Sequence, residues 1–373
     1  LDYRLITHVA PAVAKAAIES GVAREPITDW DAYSEELDKR LGLDNKLLQS
    51  ITERARRHPK RVVFAEADHY KILKAAQTAR DDGVAIPILL GKKDRIKNLI
   101  EEYGLDFENV EIIDPRSRSE EERRKEFAKV LFEKRKRRGY TFYEAKKIMR
   151  ERNYFGAAMV ESGEADVMIS GLTRNYPDTV KPALQVIGTD PEVNKIAGMY
   201  VIITKNGPLF LADATVNYSP TAEGLAEITV LVAKAVERFR LKPRIAMLSY
   251  SNFGSSDSAE AIKVRDAVSI LHRDHPELVV DGEVQANFAM NKTRMKEMFP
   301  FSKLSGKEAN VLIFPNLSAG NIAYKMIQEM DVGETIGPIL LGMNKPVHIL
   351  QLGSSVREIV NMVTIAVADA QTR

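Results

Sequence analysis

Past residue 43, short β-branched and aliphatic runs recur between longer stretches whose apolar positions are spaced three and four apart. The short runs predict strands at Val62–Ala65, Ile86–Leu90, Val110–Ile113, Val167–Ser170, Tyr200–Thr204, Leu209–Ala212, Ile245–Tyr250, Leu278–Val280, Val311–Phe314 and Val347–Leu350. The longer stretches predict amphipathic helices at Ser119–Arg138, Thr221–Phe239, Ser258–Asp274 and Ala319–Met330. Buried strands alternating with helices imply an α/β fold with mainly parallel sheet. One hairpin stands out, "MYVIIT" against "GPLFLAD" across Asn206-Gly207. No repeat or low-complexity segment breaks the pattern.

The first forty residues differ. "THVAPAVAKAAIESG" (7–21) predicts an Ala-rich helix with Val9, Val13, Ala16 and Ala17 on one face and Gly21 as C-cap. A second, acidic helix follows an Asp29 cap and ends at Gly42. This stretch reads as the tail of one unit joined to the next. The chain starts at Leu1, in mid-pattern and without Met, which leads us to expect a piece of a longer protein.

Composition narrows the class. The 373 residues suffice for two domains or two lobes. Lys and Arg number 54 against 52 Asp and Glu, so net charge gives no case for nucleic acid or a membrane surface. Cysteine is absent, which excludes disulfides, zinc–cysteine sites and a thiol nucleophile and favours the cytoplasm. No apolar run approaches bilayer length and no signal peptide is visible.

In open α/β sheets, ligands gather beyond the carboxyl ends of the strands. Five such ends are polar and glycine-rich: "SGLTRNYPDT" (170–179), "ADATVNYSPT" (212–221), "SYSNFGSSDSAE" (249–260), "FPNLSAGNIAYK" (314–325) and "QLGSSVRE" (351–358). Each alone suits a capped βα turn; their concentration suits a site. Ser249, Ser251, Gly254, Ser255 and Ser256 offer hydroxyls and N–H groups for phosphate oxygens, without P-loop or dinucleotide spacing. Gly353, Ser354 and Ser355 open a helix, where free N–H groups favour an anion, but Gln351 and Leu352 just before them carry neither nucleophile nor cation. The basic run "EKRKRRG" (133–139) suits a solvated helix C-terminus or a phosphate-anchoring arginine, and is too short for nucleic acid. Glu66 and Asp68 in "AEAD" permit acid/base work, though cap roles are commoner. The six histidines show no ligand spacing, and no metal site is expected in this chain.

Taken together, "AMLSYSNFGSS", "VLIFPNLSAGNIAYKMIQ", "IGPILLGMNKPVHILQLGSSVREIV" and "FEKRKRRGYTFYEAKKIM" resemble phosphotransacetylases (phosphate acetyltransferases) from about Leu43 to the C-terminus. "HVAPAVAKAAIESGVAREPI" resembles the closing helix of the catalytic region of bacterial malic enzymes, and "SGLTRNYPD" looks like the hybrid enzymes in which the two are fused. The whole resembles the C-terminal phosphotransacetylase-like domain of bacterial NADP-dependent hybrid malic enzymes.

That resemblance implies a two-lobed architecture of the isocitrate/isopropylmalate dehydrogenase type with a central cleft. The lobes would be 43–190 plus 338–373 and 191–337, after a malic-enzyme tail at 1–42. It implies a homo-oligomer, at least a dimer, and acetyl transfer between coenzyme A and phosphate without a metal. Arg135 matches a family arginine, Lys181 stands where the family has arginine, and Glu329 replaces another arginine. Reactive members read aspartate-leucine-serine-arginine-glycine where this chain reads Ile349-Leu350-Gln351-Leu352-Gly353, and Glu358 falls on the family's acidic position. Losing one oxyanion donor costs on the order of 10² to 10³ in rate, so no catalytic residue is assigned here. Arg135, Lys181, the Ser249–Ser256 loop, Asn316, Gly320, Asn321 and Gly353–Ser355 would bind acetyl-CoA or an acyl phosphate, regulating a malic enzyme whose NADP and divalent metal lie elsewhere. Two alternatives stand beside this: a working phosphate acetyltransferase using Arg135, Lys181 and Ser354 or Ser355, or an assembly platform using Ile359–Val367 and Ile228–Val236.

Overall fold

A computed structural model describes residues 4–40, 46–204, 206–330 and 332–372. Leu1, Gly42 and Leu43, where the sequence placed its start, the end of the acidic helix and the beginning of the alternating pattern, lie outside them. The chain divides into two compact units, Leu1–Ser50 and Ile51–Arg373.

In the first unit, α1 (Arg4–Glu19) and α2 (Trp30–Arg40) are joined by a turn in which Gly21 has φ +71°. Asp29 caps α2 as expected, its Oδ1 accepting the Asp31 and Ala32 N–H groups at 3.1 and 2.9 Å. The expected apolar face of α1 is not the covered one. Val9 and Val13 are 49% and 62% exposed, while Ala10, Ala14 and Ile18 are half-buried. A two-helix unit offers one partner helix, too little surface to cover a whole stripe.

Unit two begins in α3 (Lys46–Arg57) and alternates strand and helix. In chain order come β1 (Lys60–Phe64), α4 (Tyr70–Asp81), β2 (Ala85–Leu90), α5 (Lys93–Glu102), β3 (Glu111–Ile113) and α6 (Glu121–Arg135). A 3₁₀ turn at Lys136–Arg138, α7 (Phe142–Ile148), α8 (Arg152–Ser162), β4 (Val167–Ser170) and α9 (Tyr176–Val186) follow. Then come β5 (Ala197–Thr204), β6 (Gly207–Ala212), α10 (Ala222–Arg238), β7 (Arg244–Leu248), α11 (Ala259–Asp274) and β8 (Val279–Val284). The chain closes with α12 (Ala286–Ala289), α13 (Lys292–Met298), β9 (Val311–Ile313), α14 (Leu317–Glu329), β10 (Gly333–Leu341), β11 (Val347–Ile349) and α15 (Val356–Ala370).

The strands form two sheets. One is five-stranded and parallel throughout, in the order β11-β4-β1-β2-β3. The other is six-stranded, β10-β5-β6-β9-β7-β8, with β10, β5 and β6 antiparallel and the rest parallel. The predicted hairpin is β5–β6, with Thr204 opposite Gly207. Where the chain passes between sheets, two segments run side by side: the Asp190 N–H donates to Gly342 O, and Asn344 N–H to Gly188 O.

Sequence patterning missed β10, whose Gly333, Gly337 and Pro338 read as breakers. Pairing with β5 overrides them, and the register shifts between Ile336 and Ile339 to absorb Gly337-Pro338. The expected return at residue 338 therefore falls inside a strand that stays paired through Leu341. Strand β8 runs to Val284, four residues past the expected end, because its later half carries the buried acids Asp281 and Glu283. The predicted 119–138 helix breaks at Arg135 into the 3₁₀ turn, which stops at Gly139 with φ +85°.

Each sheet has its own apolar core, around Val63, Leu90, Phe155 and Met168 in one and around Leu211, Ala246, Leu312 and Tyr324 in the other. The two apolar helices considered for an assembly face are core. Ile359, Val363 and Val367 of α15, and Ile228, Val232 and Val236 of α10, are fully buried. Burying such a side chain stabilises by about 1.5–3 kcal/mol, so these faces are committed to the fold. Among the described residues no helix is long and apolar enough to cross a membrane.

Candidate functional site

The carboxyl ends of β1, β4 and β11 lie side by side, and one buried carboxylate organises them. Glu66, 1% exposed, accepts the N–H groups of Gly171, Leu172 and Thr173 at 2.8, 2.7 and 3.2 Å, and the Thr173 hydroxyl. This hydrogen-bonding role is the commoner of the two readings of the "AEAD" pair. Gly171 has φ +109°, and a Cβ there would lie 2.7 Å from Ile349 Cγ2, so β4 and β11 end in direct contact. The loop fixed in this way carries Arg174, whose Nη1 donates to Glu151 Oε1 at 2.7 Å, and leads into Lys181. A cavity of about 510 Å³ opens there, lined by Tyr154, Thr173, Arg174, Asp178 and Lys181 among others.

Arg135 does not face that cavity. Its Nη2 and Nε donate to the Leu184 and Gln185 carbonyls at 2.7 and 3.2 Å, at the last turn of α9. A cation at a helix C-terminus is favourable by up to about 1 kcal/mol, and here it spends the guanidinium on the fold. Burial, then the neighbouring Arg138, holds its pKa below the ordinary arginine value. The expected role of Arg135 as a phosphate anchor is thus not matched by its geometry. Arg138, three residues on, lines a larger cavity of about 830 Å³ with Tyr140, Lys147 and Arg150.

At the start of α15, Ser355 accepts the Glu358 N–H at 3.2 Å while Glu358 Oε2 accepts the Ser355 N–H at 2.6 Å, a capping box. Ser354 donates to Gln351 O, and Lys71 Nζ donates to the Gly353 and Ser354 carbonyls. The Gln351 side chain reaches across to the other sheet's layer. Its Oε1 accepts from the Tyr324 hydroxyl at 2.6 Å and from Lys325 Nζ at 3.1 Å, and its Nε2 donates to Gly337 O at 3.4 Å. Tyr324 stacks on Tyr200 with centroids 3.8 Å apart, and burial followed by Tyr200 pushes its phenol well above the ordinary tyrosine range. Leu352 is 64% exposed.

The Ser249–Ser256 loop, expected to cradle phosphate, already holds an anion. Glu283, fully buried, accepts from Ser251 Oγ at 2.9 Å, from the Gly254 N–H at 2.8 Å and from Arg265. Burial alone would raise its pKa; Arg265, the Gly254 N–H and Ser251 outweigh burial and hold it below the ordinary carboxylate value. Ser249 Oγ accepts the Ser251 N–H, Ser255 Oγ pairs with Ser251 and accepts the Asn252 N–H, and Ser256 pairs with Tyr250. At α14, Asn316 is the N-cap and Asn321 donates to Ala214 O. Gly320 is needed for close packing, since a Cβ there would lie 2.5 Å from Asp213 O. Asp213, also buried, accepts the N–H groups of Thr215, Val216 and Asn217.

The predicted residues therefore separate by role. Lys181 lines a cavity, the serine loop and Asn316, Gly320 and Ser355 serve the fold, Gln351 bonds to α14, and Leu352 is exposed. Tyr324, Lys325, Arg174 and Glu283 were not singled out from sequence. Tyr324 and Lys325 lie inside a quoted motif, so their helix was visible while their partner across the molecule was not. Tyr176, at the start of α9, was missed too; its hydroxyl is buried without a partner among the described residues.

Residues 46–367 match the phosphate acetyl/butaryl transferase family. The chain is 40% identical over 374 residues to the NADP-dependent malic enzyme of Haemophilus influenzae, covering 99% of this chain and 49% of that one. It thus spans about half the length of that relative. It is 36% identical to the phosphate acetyltransferase of Clostridium acetobutylicum, over 87% of this chain and 98% of that enzyme. The crystal structure of a phosphotransacetylase from Streptococcus pyogenes superposes with a TM-score of 0.81 at 34% identity, covering 88% of this chain and 98% of that one. The chain belongs to the phosphate acetyl/butaryl transferase family.

Proposed function

We propose that this chain is an acetyl-CoA-binding regulatory domain of an NADP-dependent malic enzyme, and that it does not carry out acetyl transfer. The observation that carries the reading is the pair Gln351 and Leu352. Where reactive relatives are expected to hold serine and arginine, an amide hydrogen-bonded to Tyr324 and Lys325 sits beside an exposed isobutyl group. Neither is a nucleophile or a cation; the Gln351 amide N–H is given to Gly337 O and the isobutyl group has no donor. Binding needs no such groups, because ground-state affinity and transition-state stabilisation are separable. The cavity with Lys181 and Arg174 offers two cations to the phosphates of coenzyme A or to an acyl phosphate.

In this reading the ligand seats its phosphates in that cavity, which first-lobe residues line, and differential affinity for two arrangements shifts malate decarboxylation elsewhere in the longer enzyme. NADP and a divalent metal belong to that other part, and the whole works as a cytoplasmic homo-oligomer. Isothermal titration of acetyl-CoA tests binding; no heat at millimolar ligand removes the proposal. A coupled assay for acetyl-CoA formation from acetyl phosphate separates it from the active-transferase reading.

A further inference from the structure

Where the chain passes between its two sheets lies a third cavity, of about 340 Å³. It shares no lining residue with the cavities beside Lys181 and Arg138. Both crossing segments line it, one through Asp190 and Glu192 and the other through Met343. Helix α10 adds Lys234 and Arg238, one turn apart, and Thr372 adds its side just past α15. Helix α10 packs on the six-stranded sheet and α15 on the five-stranded one.

The walls are fixed. Glu227 Oε1 accepts the Asn194 and Lys195 N–H groups, which ties the first crossing segment to α10. A Cβ at Gly342 would lie 2.9 Å from Lys195 O, so the two crossing segments meet backbone to backbone. Arg238 Nη1 donates to Asp369 Oδ1 at 2.7 Å, joining α10 to α15.

The charges are balanced, and half of them are uncommitted. Arg238 is held by Asp369, and Asp190 Oδ1 accepts the Glu192 N–H at 2.9 Å. The Lys234 ammonium and the Glu192 carboxylate have no partner among the described residues, and they do not pair with each other. The floor is apolar, with Ala235, Leu341 and Met343 all buried. An excess of one sign would select a simple cation or anion. One free charge of each sign over an apolar floor suits a zwitterion with an aliphatic body. Ligand pockets run from about 300 to 1,000 Å³, so this one has the size for a small metabolite and not for a dinucleotide. A single exposed ion pair contributes little. Two made at once by one small ligand share a single loss of translational and rotational freedom.

We propose that this cavity binds an aliphatic α-amino acid, its carboxylate on Lys234, its ammonium on Glu192 and its side chain over Leu341 and Met343. The site is independent of the acyl-CoA reading. Its walls come from both crossing segments and from helices packed on different sheets, so a bound ligand favours one relative placing of those sheets.

The test is titration of the whole chain with leucine and with valine, read by calorimetry and by thermal shift. A dissociation constant of about 1 mM or tighter is expected, with a raised melting temperature. Two leucine analogues, 4-methylpentanoate without the ammonium and 3-methylbutylamine without the carboxylate, should each bind at least about tenfold more weakly, about 1.4 kcal/mol. Lys234→Gln and Glu192→Gln should each lose leucine affinity by the same factor. Both residues are exposed, and melting without ligand checks that the variants fold. Lys97→Gln, on α5, should bind as the unsubstituted chain does. Leucine should also slow amide exchange at Asp190 and Asn344, whose N–H groups bond across the crossing segments. No binding of either amino acid overturns the proposal. So does full affinity in both cavity variants, equal binding of either analogue, or binding that leaves exchange at both amides unchanged.

Discussion

The Gln351 side-chain oxygen accepts a 2.6 Å hydrogen bond from the Tyr324 hydroxyl, joining the loop after β11 to helix α14. These elements belong to different sheets' layers, so the bond links the two sheets within one compact unit. Removing it should be measurable. We predict that Gln351→Ala lowers stability by about 1 kcal/mol and no more, since Tyr324 keeps a 3.0 Å bond to Gln328. Urea unfolding of the two chains measures this, and a loss above 3 kcal/mol would show that the amide does more than bridge.

The same loop allows a gain-of-function experiment. Gln351→Ser with Leu352→Arg restores the residue types expected in reactive relatives. Acetyl phosphate formation should rise by about 10²-fold or more over the unsubstituted chain. Enzyme-like turnover by the unsubstituted chain would sink the regulatory reading at once.

Glu283 predicts an acid transition. Its folded pKa lies below its unfolded value, so its stabilisation is complete above the unfolded value, about 4.3, and is lost as pH falls through the folded one. Stability should therefore hold from neutral pH to about pH 5 and fall below about pH 4. Glu283→Gln should be about 1–3 kcal/mol less stable at pH 7, with a shallower acid decline, because Arg265 loses its counter-charge. Chemical unfolding across that range reads both effects.

Gly320→Ala tests the packing of α14 against the loop after β6. With its Cβ 2.5 Å from the Asp213 carbonyl oxygen, the backbone itself must move. We expect a loss of about 1–3 kcal/mol. A melting temperature equal to that of the parent would show that the approach is looser than described.

Glu66→Gln replaces an acceptor of four hydrogen bonds with a group that can accept at one atom only. The loop 171–173 should loosen, with faster amide exchange at Gly171 and Leu172 and a stability loss of about 1–3 kcal/mol. Unchanged protection at both amides would mean that the β4–β11 contact alone holds the loop.

Periodicity and turn chemistry determined much of this protein. The alternation of apolar runs and amphipathic segments located the α/β class, nearly every strand, the β5–β6 hairpin and the capped helix starts, because those features depend on neighbours in the chain. The quoted motifs carried the family, and with it the exchange at Gln351 and Leu352. What neighbours could not decide was which donors remain free. Arg135 looks like an anchor until α9 places two carbonyls against it. The Ser251–Gly254 turn looks like a phosphate cradle until β8 delivers the Glu283 carboxylate from 29 or more residues away. Strand β10 does not stand out as a strand until β5 pairs with it. Local propensity is a property of a segment, whereas the occupancy of a hydrogen-bonding group depends on residues distant in the chain, and only folding brings those together.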